Sequence, residues 1–260
     1  MKLTVLIEDI AGRFGYTEHG LSYFLEINNH TVLFDTGASS LFIKNAERLG
    51  IDIHKRVNTV VLSHGHYDHG GGLYFLEGKD LILHPNAFIK RYHKKNNIQI
   101  GLSKSKFEIQ KKINIIETKV PYFITDYIIF LGEIPRENKF ESKNTDFVDE
   151  YGVDDYVIDD SALAIIQNNE LIIISGCAHS GICNIVQYAQ KVTGINNIKT
   201  VIGGFHLKNR DEQTLKTISF LRKNKIKEIF PSHCTELPVL SLFYDEFNIK
   251  QIKTGDIINI

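Results

Sequence analysis

The sequence predicts an α/β domain that is built on mixed β-sheets. Two observations indicate this fold class. Hairpins, whose strands are antiparallel, alternate along the chain with strand–helix–strand units, whose strands are parallel. Residues 59–62 are apolar on both faces, which is typical of a parallel strand buried inside a sheet. The 260 residues show no internal repeat and no change of composition at a boundary, so we expect a single domain over residues 1–260.

The first half of the chain predicts a hairpin, a helix and a strand, in that order. Alternating apolar residues on both sides of the Asn28-Asn29 turn predict the hairpin over residues 21–34. Apolar residues at helical spacing predict a helix over residues 41–49, which ends at Gly50. The strand over residues 59–62 follows and leads directly into a loop rich in histidine and glycine.

The middle of the chain has weaker patterns. Residues 81–83, 113–116 and 127–131 resemble strands, and the basic residues 90–95 resemble the solvated face of a helix. We expect residues from about 85 to 160 to form an insertion or a lid.

The second half predicts a hairpin, a helix and a strand, followed by another helix and another strand. Alternation around the Asn168-Asn169 turn predicts a hairpin over residues 162–174, and a helix from residue 182 ends at Gly194. A strand at residues 201–202, a helix over residues 211–223 and a strand over residues 226–230 follow.

The positions of the histidines are the most informative feature of the sequence. Six of the eleven lie in loops that directly follow predicted strands, where open α/β sheets bind ligands. These six are His64, His66, His69, His179, His206 and His233.

The segment from His64 to His69 has the spacing of a metal site. In an extended segment His64 and His66 point the same way and can reach one cation, while Asp68 and His69 can face a second cation after the chain turns. Neutral imidazoles with a carboxylate suit zinc, iron or manganese. Two such cations would lower the pKa of a water molecule and polarise a phosphoryl or carbonyl oxygen, which is the chemistry of hydrolysis.

The motifs also carry a family resemblance over nearly the whole chain. They are, in order, EHGLS (18–22), FDTG (34–37), SHGHYDHGGG (63–72), GCAHSG (176–181), GGFHL (203–207) and HCTE (233–236). This order resembles the metallo-β-lactamase superfamily. Within it, the set is similar to the group named for 7,8-dihydropterin-6-yl-methyl-4-(β-D-ribofuranosyl)aminobenzene 5′-phosphate synthase, many of whose members are described as metal-dependent hydrolases. The resemblance implies an αββα sandwich of two mixed β-sheets flanked by helices.

The same resemblance implies a dinuclear site with two ligand sets. His64, His66 and His179 would hold the first metal, and Asp68, His69 and His233 would hold the second. One family feature differs, because the position where many members carry a bridging aspartate reads Cys177. Three alternatives stay open: a bridging Cys177 thiolate, substitution by His206, or weak binding of the second metal.

Other residues have two interpretations each. Asp35 is either a turn residue that bonds its own backbone or a carboxylate that orients a ligand histidine. His206 is either a functional group, which binds substrate, donates a proton or replaces a ligand, or a packed core histidine. Cys177 is either a ligand or a small buried thiol. The basic residues 90–95 and Arg136 could hold a substrate phosphate if they border the metals.

The predicted function is therefore a metal-dependent hydrolase or transferase with two divalent metal ions, for which zinc is favoured over iron or manganese. Asp68 and His206 are the candidate catalytic residues, and the substrate is expected to be small and phosphorylated or pterin-like. The alternatives are the pterin synthase activity proper, a phosphoesterase of other specificity, a di-iron redox protein, a nuclease and a non-catalytic metal-binding protein.

Composition excludes several other classes. A net charge of −1 gives no basic field for nucleic acid or anionic membranes, so a small-molecule substrate is expected and neither of those partners is. Three cysteines without a paired framework favour a reducing compartment, and the N-terminus lacks a signal-peptide pattern, so we expect a cytoplasmic protein. The sequence leaves the oligomeric state open.

Overall fold

The computed structural model describes residues 1–13 and 15–260. The strands are β1 (Lys2–Ile7), β2 (Ser22–Ile27), β3 (His30–Phe34), β4 (Thr59–Val61), β5 (Asp80–Leu83), β6 (Arg91–His93), β7 (Asn114–Glu117), β8 (Tyr122–Thr125), β9 (Ile128–Phe130), β10 (Phe147–Asp149), β11 (Ala162–Gln167), β12 (Glu170–Ser175), β13 (Ile198–Gly204), β14 (Glu228–Ser232) and β15 (Ile257–Asn259). The α-helices are α1 (Leu41–Arg48), α2 (Ile53–Arg56), α3 (Tyr67–Gly70), α4 (Lys106–Gln110), α5 (Ile182–Thr193), α6 (Glu212–Lys223) and α7 (Leu237–Phe247).

The contacts divide the chain into two compact units. The first unit comprises Met1–Thr118, Asp146–Asp155 and Ile252–Ile260. The second unit comprises Lys119–Thr145 and Tyr156–Gln251. The segment predicted as an insertion or a lid therefore contributes residues to both units.

The first unit is built on a seven-stranded mixed sheet in the order β15-β1-β2-β3-β4-β5-β7. The strands from β15 to β3 pair antiparallel, and those from β3 to β7 pair parallel. The predicted hairpin is β2 and β3, and Asn28 takes a φ of 51° at its turn, because asparagine tolerates the left-handed region. Helix α1 buries Phe42 and Ala46 in the core. The hairpin, helix and parallel strand predicted for this half are confirmed.

The second unit is built on a six-stranded mixed sheet in the order β14-β13-β12-β11-β9-β8. Strands β12, β13 and β14 run parallel, and the others pair antiparallel. Asn168 and Asn169 form the predicted turn between β11 and β12 with φ values of 52° and 60°. Helix α5 ends at Gly194, which takes a left-handed φ of 70°, as predicted.

The prediction of a helix face over residues 90–95 is wrong. Residues Arg91–His93 form β6, which pairs antiparallel with β10. The Arg91 side chain is fully buried and its Nε lies 2.9 Å from Asp155 Oδ2, so the guanidinium is neutralised inside the unit rather than solvated. Lys90 and Lys94 form ion pairs with carboxylates of residues 150 and 154. Most of this basic charge is thus matched by acidic neighbours.

Several elements lie where the sequence patterns assigned none, among them β1, β15 and α7. Among the helices of residues 1–13 and 15–260, none combines the length and the apolar character that crossing a membrane requires.

Candidate metal centre

In the first unit, two parallel strands bring the FDTG segment and residues 64–69, here called the HxHxDH segment, to one edge of the sheet. Strand β3 pairs in parallel with β4, with Phe34 beside Val61. Their carboxyl ends therefore meet at the same edge. Asp35 leaves β3 with a φ of 57°, a conformation that a non-glycine residue adopts rarely and that turns the chain sharply. His64 follows β4 after two residues.

The side chains of the HxHxDH segment converge inside this unit. His64 Nε2 lies 3.0 Å from His66 Nδ1, and the ring centres of His64 and His69 are 4.2 Å apart. His69 Nε2 lies 3.7 Å from Asp68 Oδ2. All four side chains are buried. Three imidazoles and a carboxylate that converge away from bulk water form a donor cluster rather than a set of surface residues.

Asp35 organises two of these imidazoles. Its Oδ2 lies 2.7 Å from His69 Nδ1 and also accepts a hydrogen bond of 2.7 Å from the Ser63 hydroxyl. Its Oδ1 accepts the backbone N–H of Ser63. The role predicted for Asp35, orienting a ligand histidine, requires a contact of this kind, and the role itself stays a prediction.

Ser63 extends the contact to a second histidine and was not singled out from the sequence. Its hydroxyl proton goes to Asp35, so its oxygen can only accept from His64 Nδ1 at 2.9 Å. A proton on Nδ1 places the lone pair of His64 on Nε2. The same argument applies to His69, whose Nδ1 faces the Asp35 carboxylate directly. A serine before the first histidine, following a buried strand, was the only signal in the sequence.

Glycine between the first two histidines lets the chain approach a neighbouring turn. A Cβ on Gly65 would lie 1.8 Å from the carbonyl oxygen of Ala87, which is backbone and cannot move aside cheaply. Likewise a Cβ on Gly71 would lie 2.3 Å from the carbonyl oxygen of Ala38. The glycines of this motif therefore allow close packing of main chain around the histidines.

In the second unit, three parallel strands each lead to a predicted site histidine. His179 follows β12, His206 follows β13 and His233 follows β14. His206 and His233 take φ values of 50° and 48°, and Ala178 before His179 takes 50°. The rings of His179 and His206 lie 4.4 Å apart between centres. Left-handed residues at three adjacent strand ends form abrupt turns, and such strain is concentrated at functional sites.

The loop that carries His179 is held by two buried carboxylates that sequence patterns did not reveal. Asp160 Oδ2 accepts hydrogen bonds from the backbone N–H and the hydroxyl of Ser180. Glu141 accepts the backbone N–H groups of Cys183 and Asn184 at the start of α5. The Ser142 hydroxyl donates to the His179 carbonyl.

Burial governs the titration of both carboxylates. It raises the pKa of Asp160 to about 6, against the hydrogen bonds from Ser180, which lower it. Burial also raises the pKa of Glu141, although the Cys183 N–H and the Asn138 amide act in the opposite direction. Nothing in the local sequence marks either residue as buried, since both lie in irregular segments.

The remaining candidates have local contacts in the second unit. Cys177 is buried, and its carbonyl accepts from the Cys234 thiol at 3.5 Å. Its burial suits either interpretation of that residue, so the three alternatives for the bridging position stay open. Arg136 donates to the carbonyls of Tyr156 and Val157. That contact uses one guanidinium nitrogen to hold a loop.

The donor set of the first unit fits a divalent cation of the zinc class. Two imidazole nitrogens that bind one tetrahedral zinc at about 2.0–2.1 Å lie roughly 3.3 Å apart. His64 Nε2 and His66 Nδ1 lie 3.0 Å apart. Two imidazole nitrogens at this distance share either a proton or a cation, and both are borderline-soft donors that zinc prefers.

Comparison with known proteins extends these observations. The model of the metallo-β-lactamase superfamily matches residues 15–96. An uncharacterized protein of Methanocaldococcus jannaschii is 34% identical over 99% of this chain and 100% of its own length. The 7,8-dihydropterin-6-methyl-4-(β-D-ribofuranosyl)-aminobenzene-5′-phosphate synthase of the same organism is 31% identical over 99% of this chain and 96% of its own.

A solved structure gives the same result at the level of the fold. The crystal structure of a metal-dependent hydrolase of the β-lactamase superfamily matches 100% of this chain and 99% of its own with a TM-score of 0.88 and 30% identity. The fold class that the sequence predicts is thereby confirmed. The chain belongs to the metallo-β-lactamase superfamily.

Proposed function

We propose that this chain is a metal-dependent hydrolase or transferase that uses two divalent cations on a small phosphorylated or pterin-like substrate. The observation that carries the proposal is the arrangement of the first unit, in which Ser63 contacts Nδ1 of His64 and Asp35 contacts Nδ1 of His69. Buried histidines whose second nitrogen is fixed by a carboxylate or a hydroxyl are typical of metal ligands. Structural packing alone would not need three imidazoles at one strand end.

The proposed ligands follow the family resemblance. His64 and His66 hold the first cation, and Asp68 and His69 hold the second. We propose that His179 completes the first set and His233 the second. Zinc is the favoured metal, since imidazole and carboxylate are its usual ligands at catalytic sites, and iron or manganese are the alternatives.

When bound, two divalent cations polarise a phosphoryl or carbonyl oxygen and lower the pKa of a water molecule. The residues of the chain supply the rest. Asp68 orients the nucleophile and accepts its proton. The Asp68 side chain is buried, so bulk water is excluded from this proton transfer. His206, whose ring contacts that of His179, grips the substrate or protonates the leaving group.

The name of one relative favours a transferase as the second candidate. That relative is a synthase that joins a pterin to an aminobenzene. In such a condensation the C–O bond to a leaving diphosphate breaks, a C–N bond to the arylamine forms, and the amine proton goes to a base. Asp68 would be that base. The net charge of −1 favours either small substrate over a nucleic acid.

The proposal is tested with protein stripped of metal and reloaded with Zn²⁺, Mn²⁺ or Fe²⁺. p-Nitrophenyl phosphate and its bis ester probe hydrolysis, and a dihydropterin-6-ylmethyl diphosphate with an arylamine probes condensation. We expect metal-dependent turnover of one probe class, and a loss of about 100-fold or more in His66→Ala. His54→Ala, a change at an exposed histidine of α2, is the matched control. Turnover that survives chelation, or no turnover of any probe with any metal, would contradict the proposal.

A further inference from the structure

The segment 18–22 of the first unit contacts both loops of the candidate metal centre. The Glu18 carboxylate accepts the backbone N–H groups of Ala38 and Ser39 and the Ser39 hydroxyl, just after the FDTG segment. The Ser22 hydroxyl donates to the Asp35 carbonyl at 2.9 Å. The proposed reaction assigns no role to this segment, although it stands beside both loops.

The same segment lies directly against Asp68. The backbone N–H of Leu21 donates to the Asp68 carbonyl at 3.1 Å. Gly20 takes a φ of 155°, and a Cβ at this position would lie 2.5 Å from that carbonyl oxygen. Only glycine allows so close an approach of the two main chains. The contact places the main chain next to His19 beside the main chain of Asp68.

The imidazole of His19 lies between two carboxylates. Its Nδ1 is 3.1 Å from Asp9 Oδ2, and its Nε2 is 3.4 Å from Asp68 Oδ2. Asp9 also accepts the backbone N–H of Gly20 with its Oδ1 at 3.0 Å, so Asp9 is fixed to the same turn. The His19 side chain is 58% exposed, whereas that of Asp68 is 9% exposed. His19 therefore covers the solvent side of a carboxylate that is otherwise enclosed.

An exposed histidine needs no such arrangement for folding. A surface imidazole contributes little to the free energy of unfolding, and ion pairs at exposed positions contribute less than about 1 kcal/mol. Yet Asp9 contacts both this ring and the main chain of Gly20, and the ring lies beside the Asp68 carboxylate. At many metal sites a carboxylate that does not bind the metal orients a histidine that does. Here an imidazole lies where it can orient a carboxylate.

We propose that His19 is a positioning residue, which Asp9 holds in place and which orients the Asp68 carboxylate toward the second cation. This inference rests on the proposed function, because it takes Asp68 as a ligand. It adds to the centre a residue that lies outside the HxHxDH segment. The contact that matters is the one from His19 Nε2, and Nδ1 serves only to hold the ring.

The proposal predicts different effects for two amide substitutions. The amide nitrogen of glutamine lies where Nε2 of histidine lies, and that of asparagine lies where Nδ1 lies. His19→Gln therefore keeps a donor near Asp68, whereas His19→Asn and His19→Ala lose it. A role confined to the folding of the segment would make the glutamine and asparagine variants behave alike.

The test is a Zn²⁺ titration of the whole chain against a chromophoric chelator, which separates the affinities of the tighter and the weaker ion. We take the second cation, which Asp68 holds, as the weaker ion. We expect the weaker ion to lose about tenfold in affinity in His19→Asn and His19→Ala, and to stay within about threefold of the wild type in His19→Gln. The tighter ion should be unaffected. His54→Ala is the control for loss of an exposed imidazole.

Asp68→Ala in the same titration separates the two proposals. If Asp68→Ala loses the weaker ion while all three His19 variants bind like the wild type, the inference about His19 is overturned and the proposed function stands. Equal losses in the glutamine and asparagine variants overturn it as well. If Asp68→Ala binds both ions like the wild type, the ligand assignment fails, and the role of His19 fails with it.

Discussion

The Nδ1 atom of His69 lies 2.7 Å from Oδ2 of Asp35, and both side chains are fully buried. The contact joins the end of β3 to the short helix α3. Two hydrogen bonds from Thr36 to the His69 carbonyl join the same two segments. Contacts within the chain thus hold the ring of His69 and favour one tautomer, which reduces the cost of assembling a ligand set.

Asp35→Asn should weaken metal binding more than it weakens the fold. The asparagine oxygen can still accept from Ser63, but its amide can present a proton to His69 Nδ1, which moves the imidazole proton to Nε2. Zn²⁺ affinity should fall by about 10–100-fold. Asp35→Ala should in addition lower the free energy of unfolding by about 2 kcal/mol or more, because buried donors lose their acceptor. Wild-type affinity in Asp35→Asn would contradict this account.

Ser63→Ala tests the link from Asp35 to His64. Without the hydroxyl, His64 Nδ1 loses its acceptor at 2.9 Å, and the lone pair is no longer confined to Nε2. We expect a loss of about tenfold in Zn²⁺ affinity, since removal of such an outer partner usually has an effect of this size. Ser40→Ala is the matched control, because Ser40 makes no side-chain cap to α1. Equal affinities in the two variants would show that Ser63 has no such role.

Gly65→Ala tests the need for close packing between the first two histidines. The new Cβ would meet the Ala87 carbonyl, so the main chain must shift, at a cost of about 3 kcal/mol in the free energy of unfolding. Gly50→Ala is the control. Gly50 has a φ of 74° but nothing within 4 Å of its Cβ position, so it should lose only about 1–2 kcal/mol of conformational energy. In thermal unfolding, Gly65→Ala should therefore lose more stability than Gly50→Ala. The reverse order would contradict the packing argument.

Asp160→Asn should change how stability depends on pH. Because the pKa of Asp160 is raised to about 6 in the folded chain and is about 3.9 in the unfolded chain, the folded state binds the proton more tightly. Stability therefore falls as pH rises from about 4 to 6, by at most about 3 kcal/mol from this residue. The asparagine variant keeps an acceptor for Ser180 but cannot ionise.

Urea unfolding of wild type and Asp160→Asn at pH 4 and pH 7 measures the difference. The free energy of unfolding of Asp160→Asn, taken relative to that of wild type, should be higher at pH 7 than at pH 4. A constant difference between the two proteins across this range would show that Asp160 titrates alike in both states.

Local patterns predicted the elements whose signals are local. The two asparagine turns place hairpins correctly because asparagine adopts the left-handed region with little strain, and Gly194 ends α5 for the same reason. The histidines at strand ends were predictable because parallel strands share a carboxyl edge. In both units the loops after parallel strands carry the predicted residues.

Long-range pairing explains what the sequence did not reveal. The sequence around Arg91 resembles an exposed basic helix. In the structure, Asp155, which lies far along the chain, neutralises the Arg91 guanidinium inside the first unit. Glu141 and Asp160 stand in irregular segments, and their burial depends on the position of the His179 loop. The contact of His19 with Asp68 likewise depends on tertiary structure, although EHGLS was visible as a motif.

The central claim is that His66 and Asp68 hold different ions of one dinuclear centre. The most direct test is elemental analysis of protein purified with zinc, for wild type, His66→Ala, Asp68→Ala and the double variant, with His54→Ala as control. We predict about two ions per chain in wild type and control, about one in each single variant and none in the double variant. Unchanged metal content in the double variant would contradict the claim.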